Sequence, residues 1–162
     1  MLFGAHVSIS PSLANAPLNA QALGAEAFQC FSQSPRGGPR RLPEPEMVEE
    51  FKKNYQSANQ QRCFLHAPYF INLASKDSRI FHGSIQALKT DLKIASLLGA
   101  QGVIIHLGSA KDYGLVDKQK RGISALPKEA CERVVTALTA ITEEDYGSAG
   151  LILENSAGAG QI

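Results

Sequence analysis

The stretch GVIIHLGS, residues 102–109, decides how the rest of the chain is read. Three apolar residues, Val103, Ile104 and Ile105, run directly into His106, and the chain then breaks into a Gly-Ser turn. A short apolar run bounded by turn residues reads as a buried strand, so His106 stands where the strand gives way to a loop. The same design occurs in CFLHAPY, residues 63–69, where Phe64 and Leu65 lead into His66. It recurs in GLILENSAG, residues 150–158, where Leu151, Ile152 and Leu153 lead into Glu154.

Runs of this kind, separated by long helical stretches, predict parallel strands buried on both faces. In α/β folds the carboxyl ends of such strands and the loops after them form the active-site rim. Two imidazoles and one carboxylate are therefore expected to converge at one mouth.

Outward from these three strands the alternation continues. Residues 2–7 read as a first strand carrying His6 near its end. Leu13, Ala16, Ala20 and Leu23 then have helical spacing up to Gly24, with Pro17 limiting how early the helix begins. Residues 25–32 form a second strand, and Val48, Phe51 and Tyr55 mark the inner face of a second helix. Ile85, Leu88, Leu92, Ala95 and Leu98 make an amphipathic stripe closed by Gly99. Pro127 opens a fourth helix whose inner positions are Val134, Leu138 and Ile141.

The result is a strict βαβα alternation, which with right-handed crossovers gives a doubly wound sheet or part of a (β/α)8 barrel. The gathering of His6, His66, His106 and Glu154 at strand ends favours the barrel. A full barrel takes about 250 residues. The expectation is an incomplete TIM-type barrel of five parallel strands and four helices. It forms a single domain over residues 1–162, with an unpaired edge at strand five and self-association open to it.

The chain has 162 residues, 44% of them hydrophobic, which is enough for a sizeable core. A formal charge of +1 excludes nucleic-acid binding by bulk charge, so any polyanion contact must come from local clusters. Such clusters exist: Arg36, Arg40 and Arg41 follow strand two, Lys76 and Arg79 follow strand three, and Lys111, Lys118, Lys120 and Arg121 follow strand four. All leave the same end of the sheet as the histidines, and basic loops beside a hydrolytic centre suit a phosphate backbone. Cys30, Cys63 and Cys131 are odd in number and lack CxxC spacing, so they read as reduced core thiols of a cytoplasmic protein. No signal-peptide pattern or membrane-spanning run is present.

His66, His106 and Glu154 form a His2Glu set, the number and kind of ligand that holds a catalytic zinc and leaves a position open. Zinc in such a site lowers the pKa of its water and neutralises charge on an attacked oxygen, which predicts hydrolysis. His6 reads as a hydrogen-bond partner behind the ligands, and His82 as a solvated or capping residue. Tyr69 and Phe70, large apolar side chains in the loop after His66, either cap the core or stack against or wedge between bases.

GAHVS at residues 4–8, FSQSPRGG at 31–38, HAPYFINLAS at 66–75, HLGS at 106–109 and LILENSAGAG at 151–160 resemble, in order and spacing, the successive motifs of endonuclease IV. That family comprises zinc-dependent apurinic/apyrimidinic endonucleases of base excision repair. The resemblance implies the N-terminal part of a TIM barrel with a trinuclear zinc centre. It implies hydrolysis of the phosphodiester bond on the 5′ side of an abasic site in double-stranded DNA. By position, His66 and His106 match two zinc ligands and Glu154 matches the catalytic glutamate that bridges two zinc ions. Arg36, Tyr69 and Phe70 match residues that enter the DNA at the lesion.

Leu107 replaces the family's proline, and Gly37 and Gly38 stand where an aromatic is common. The family's remaining His, Asp and Glu ligands belong to later strands, so one zinc pocket is expected here and little activity from the chain alone. Two further readings remain open: a sugar isomerase or epimerase-like barrel with a metal site at the strand ends, and a non-catalytic DNA-binding or vestigial domain.

Overall fold

A computed structural model describes residues 1–38, 40–114 and 127–155. Five strands, β1 (Gly4–His6), β2 (Ala27–Phe31), β3 (Arg62–His66), β4 (Gly102–Ile105) and β5 (Gly150–Leu153), form one sheet in sequential order. Every neighbouring pair is parallel. The helices α1 (Ala16–Ala22), α2 (Pro45–Ser57), α3 (Ser78–Leu98) and α4 (Lys128–Thr142) are the crossovers. Sequential parallel order with crossovers of one hand puts every helix on the same face of the sheet, which is the arc of an incomplete barrel.

That placement corrects one expectation, because the apolar side chains of the strands are fully buried on one face and only half-buried on the other. Phe28, Cys30, Cys63, Leu65, Val103 and Ile105 point under the helices and are buried. Gln29, Phe64, Ile104 and Ile152 alternate with them and are half-buried. In a closed barrel those inward positions are covered by strands from the far wall. Here Ala5, Ala27, Gln29, Phe64 and Ile104 line an open trough of about 260 Å³.

The expected stripe of α3 is observed: Ile85, Leu88, Leu92, Ala95 and Leu98 are all buried. The helix starts where Asp77 accepts hydrogen bonds from the backbone N–H of Arg79 and Ile80, at 2.8 and 3.0 Å, a capping arrangement that satisfies two otherwise orphan donors. Val48 and Phe51 of α2, and Val134 and Ile141 of α4, complete the outer layer. Leu23, expected on an inner face, is exposed. The turn before α1, Leu13–Asn15, is a tighter 3-10 turn, and the helix ends at Ala22, so the buried stripe stops at Ala20. Among the described residues no helix is long and apolar enough to cross a membrane.

Candidate metal centre at the carboxyl rim

Strand register explains how the chemistry gathers. Successive side chains of a strand alternate faces, and β3 pairs with β4 so that His66 lies opposite Ile104. Two residues further, His106 faces the same way. In β4 and β5, Ile104 lies opposite Ile152, which places Glu154 beside His106. The ladder continues past the formal strand ends, with the Ala67 N–H donating to Ile104 O at 2.8 Å and the Glu154 N–H to Ile105 O at 2.9 Å.

The three side chains meet. His66 Nε2 lies 3.1 Å from Glu154 Oε2, His106 Nε2 lies 3.6 Å from the same oxygen, and the potential ligand atoms of all three residues fall within 4.8 Å of one another. A carbonyl oxygen only accepts hydrogen bonds. His66 Nδ1–H therefore donates to Ala67 O at 2.8 Å, and His106 Nδ1–H donates to Glu154 O at 3.3 Å. Both Nε2 atoms are thereby turned toward the carboxylate, the orientation that backbone acceptors impose on metal-binding histidines. Tetrahedral zinc with bonds of about 2.0–2.1 Å spaces its ligand atoms at about 3.3 Å, and the two measured separations bracket that value. His66 is buried, while the His106 and Glu154 side chains keep 41% and 47% of their exposure, so the cluster opens outward.

The loops carrying the two histidines are fastened to each other. Asn72 Oδ1 accepts from the backbone N–H of Ser109 and Ala74, at 3.0 and 3.1 Å, and the Leu73 N–H donates to Leu107 O at 3.0 Å. Gly108 sits against Asn72 with φ +119°, where an added Cβ would stand 2.3 Å from Asn72 Oδ1. Only glycine fits that turn. Asp112 accepts from Ser75 Oγ and from the Lys76 N–H, tying the same two loops further out.

His6 lies on the same face but packs instead of hydrogen-bonding among the described residues: its ring centroid is 4.8 Å from that of Phe31 and 6.0 Å from that of His66. Burial, and then the charge of His66, lower its pKa. Phe31, unmarked in the sequence reading, is the hub here, edge-on to His66 at 5.7 Å and to Tyr69 at 5.4 Å. Its signal was parity, since it ends β2 opposite His66.

Tyr69 is 75% exposed and Phe70 is 40% exposed, the latter lining a small cleft with Gly83 and Ala87 of α3. Arg36 and Arg41 are exposed, as are Lys76, Arg79 and Lys111. Arg40 is not available to a polyanion: its side chain keeps only 9% of its exposure, and its guanidinium is paired with Asp91 of α3. His82 is exposed, as expected. Lys118, Lys120 and Arg121 lie outside the described residues. Cys30 and Cys63 are free and buried, and Cys131 is free and half-buried.

The xylose isomerase-like TIM barrel family matches residues 18–161. The chain belongs to that family. It is 35% identical over 160 residues to a probable endonuclease 4 of Symbiobacterium thermophilum, an alignment covering 99% of this chain and 53% of that protein. It is also similar to the crystal structure of endonuclease IV from Thermus thermophilus, with a TM-score of 0.74 and 31% identity over 99% of this chain and 54% of that one. A D-tagatose 3-epimerase-like protein, at TM-score 0.66 and 19% identity over 96% of this chain and 53% of its own, shares the fold. The chain spans about half the length of the endonuclease relatives it matches. The likeness to endonuclease IV read from the ordered motifs is thus borne out, as is the five-stranded arc of a TIM-type barrel.

Proposed function

We propose that residues 1–162 form the N-terminal portion of a cytoplasmic DNA-repair endonuclease that hydrolyses the phosphodiester bond 5′ to abasic sites in duplex DNA. The observation that carries this reading is the convergence of His66, His106 and Glu154 on the rim, with their potential ligand atoms within 4.8 Å of one another. Their histidine Nδ1 positions are already taken by backbone carbonyls. These three residues would hold one zinc ion of the family's three. When bound there, zinc supplies Lewis acidity against charge developing on an attacked phosphate.

The chain's own residues supply the rest. Glu154 presents one carboxylate oxygen to both imidazoles, and its half-exposed position leaves room for a phosphate from solvent. Arg36 is exposed on the loop after β2, and its guanidinium would pair with a backbone phosphate. Tyr69 and Phe70 project from the loop after His66, where an abasic gap in the duplex offers them a stacking surface. Among the described residues the outer edges of β1 and β5 are unpaired. The isolated chain is therefore expected to nick DNA weakly until a second copy or a complementary polypeptide completes the barrel.

The test is His106→Ala with zinc counted by native mass spectrometry. Loss of the bound ion is expected, and unchanged stoichiometry would overturn the site. Duplex containing an abasic analogue should bind in competition with undamaged duplex, whereas a ketose should not compete. The reverse outcome would assign the rim to sugar chemistry.

A further inference from the structure

Asp91 is the most deeply buried charge among the described residues, its partner Arg40 keeps only 9% of its side-chain exposure, and neither belongs to the candidate ligand set. Asp91, in the middle of α3, is fully buried. Its Oδ1 accepts from Ser32 Oγ at 2.6 Å and from Arg40 Nη2, and Arg40 Nη2 also donates to Ser32 Oγ at 2.6 Å. Burial raises the Asp91 pKa against the opposing pull of Arg40 and Ser32. Asp91 Oδ2 and Arg40 Nε find no hydrogen-bond partner among the described residues. A buried pair with unsatisfied atoms adds little net stability over apolar packing of the same volume, so its presence calls for another role.

The loop it grips suggests one. One residue after Ser32, Gln33 reaches across the base of the connection between β2 and α2. Its Nε2 donates to Arg41 O at 3.0 Å, and its Oε1 accepts from the Arg41 N–H at 3.1 Å. This two-point clasp closes the loop beside the point where Arg40 plunges to α3. Arg36 stands exposed between the two anchored ends, its N–H donating to Ser34 Oγ.

We propose that Asp91 is a positioning residue: through Arg40 it latches the 33–41 connection to α3, and what it places is the Arg36 side chain at the rim. The role rests on the DNA-binding reading above. Preordering a loop removes the entropy cost of fixing it on binding, and release of the latch returns that cost.

Three variants of the full chain test it: Asp91→Asn, Arg40→Met, and the double variant Arg40→Met/Asp91→Leu. Each single variant leaves one partner without the other and is expected to be less stable, whereas the double variant removes both charges and recovers stability. Trypsin nicking after Arg36 should accelerate about tenfold in all three, because cleavage follows the open population of the loop. Affinity for a duplex bearing a tetrahydrofuran abasic analogue, read by fluorescence anisotropy, should fall about tenfold in all three, with zinc stoichiometry unchanged. Arg36→Ala should weaken binding in the parent chain and add no further loss in the double variant.

If the double variant regains stability and parental DNA affinity together, or if nicking after Arg36 does not change, the latch is overturned. If the parent chain fails to bind the abasic duplex at all, the DNA-binding reading falls, and the proteolysis still decides whether the loop is latched.

Discussion

Substituting Gly102 by alanine tests whether the close approach of β4 and β5 is what delivers Glu154 to the histidines. Gly102 and Gly150 lie opposite each other at the start of the two strands. A Cβ at Gly102 would stand 2.2 Å from Gly150 O, where real Cβ atoms come no nearer than 3.0 Å, so the strands must separate by about 0.8 Å. The next contacts, Gly150 C and N at 3.0 and 3.2 Å, are also backbone, so no rotamer change relieves the clash.

Overpacking of this kind costs about 1–3 kcal/mol, which should appear as a lower urea midpoint by circular dichroism. Because β5 is paired with β4 along all four residues and Glu154 continues the ladder, the displacement should reach the site. Metal sites tolerate ligand shifts of about 0.2 Å, and displaced supporting groups lower metal affinity about 10–100-fold. Competition for zinc against a chromophoric chelator measures that loss. A variant that loses stability yet keeps the parental zinc affinity would refute the link between strand approach and Glu154 placement.

Two other outcomes follow from charges and thiols away from the rim. Hydrogen bonds from Lys89 at 2.7 Å and then Lys93 at 3.0 Å hold the Glu144 pKa down at about 2, against an ordinary 4.5. A depressed carboxylate contributes stability that is complete above the unfolded value and lost as pH falls through the folded one. The urea midpoints of the parent chain and Glu144→Gln should therefore differ at pH 7 and converge as pH falls from 4.5 to about 2; a constant gap would show the pair is uninvolved. Burial pushes the Cys30 thiol up to about 12, and burial followed by Cys30 pushes Cys63 well above its usual range. Ellman's reagent at mildly alkaline pH should reach only Cys131 in the folded chain and all three thiols in guanidinium, and rapid reaction of all three in the folded protein would contradict the observed core.

The rim cluster was legible because each of its members ends an apolar run, and an apolar run fixes strand and face together. Once His66, His106 and Glu154 are each assigned to a strand end, parallel order brings them to one edge. Phe31 was missed since an aromatic at the end of a strand carries no mark of its chemistry until its neighbour across the ladder is known. Asp91 was missed for the opposite reason: on α3 it sits among apolar positions, and helical periodicity cannot announce that a carboxylate faces inward. Its partner Arg40 looked like one more basic loop residue beside Arg36 and Arg41. Only the path of the loop back to α3 sets it apart.

The sequence by itself determined the alternation of strands and helices, the α3 stripe, and which imidazoles and carboxylate stand at strand ends, because these follow from local periodicity along a single segment. The tertiary structure decided what depends on distance between segments: that one oxygen of Glu154 serves both histidines, that His6 packs against Phe31, and that Arg40 belongs to Asp91. It also decided which face of the sheet the helices cover, since crossovers of one hand pack all of them on the same side.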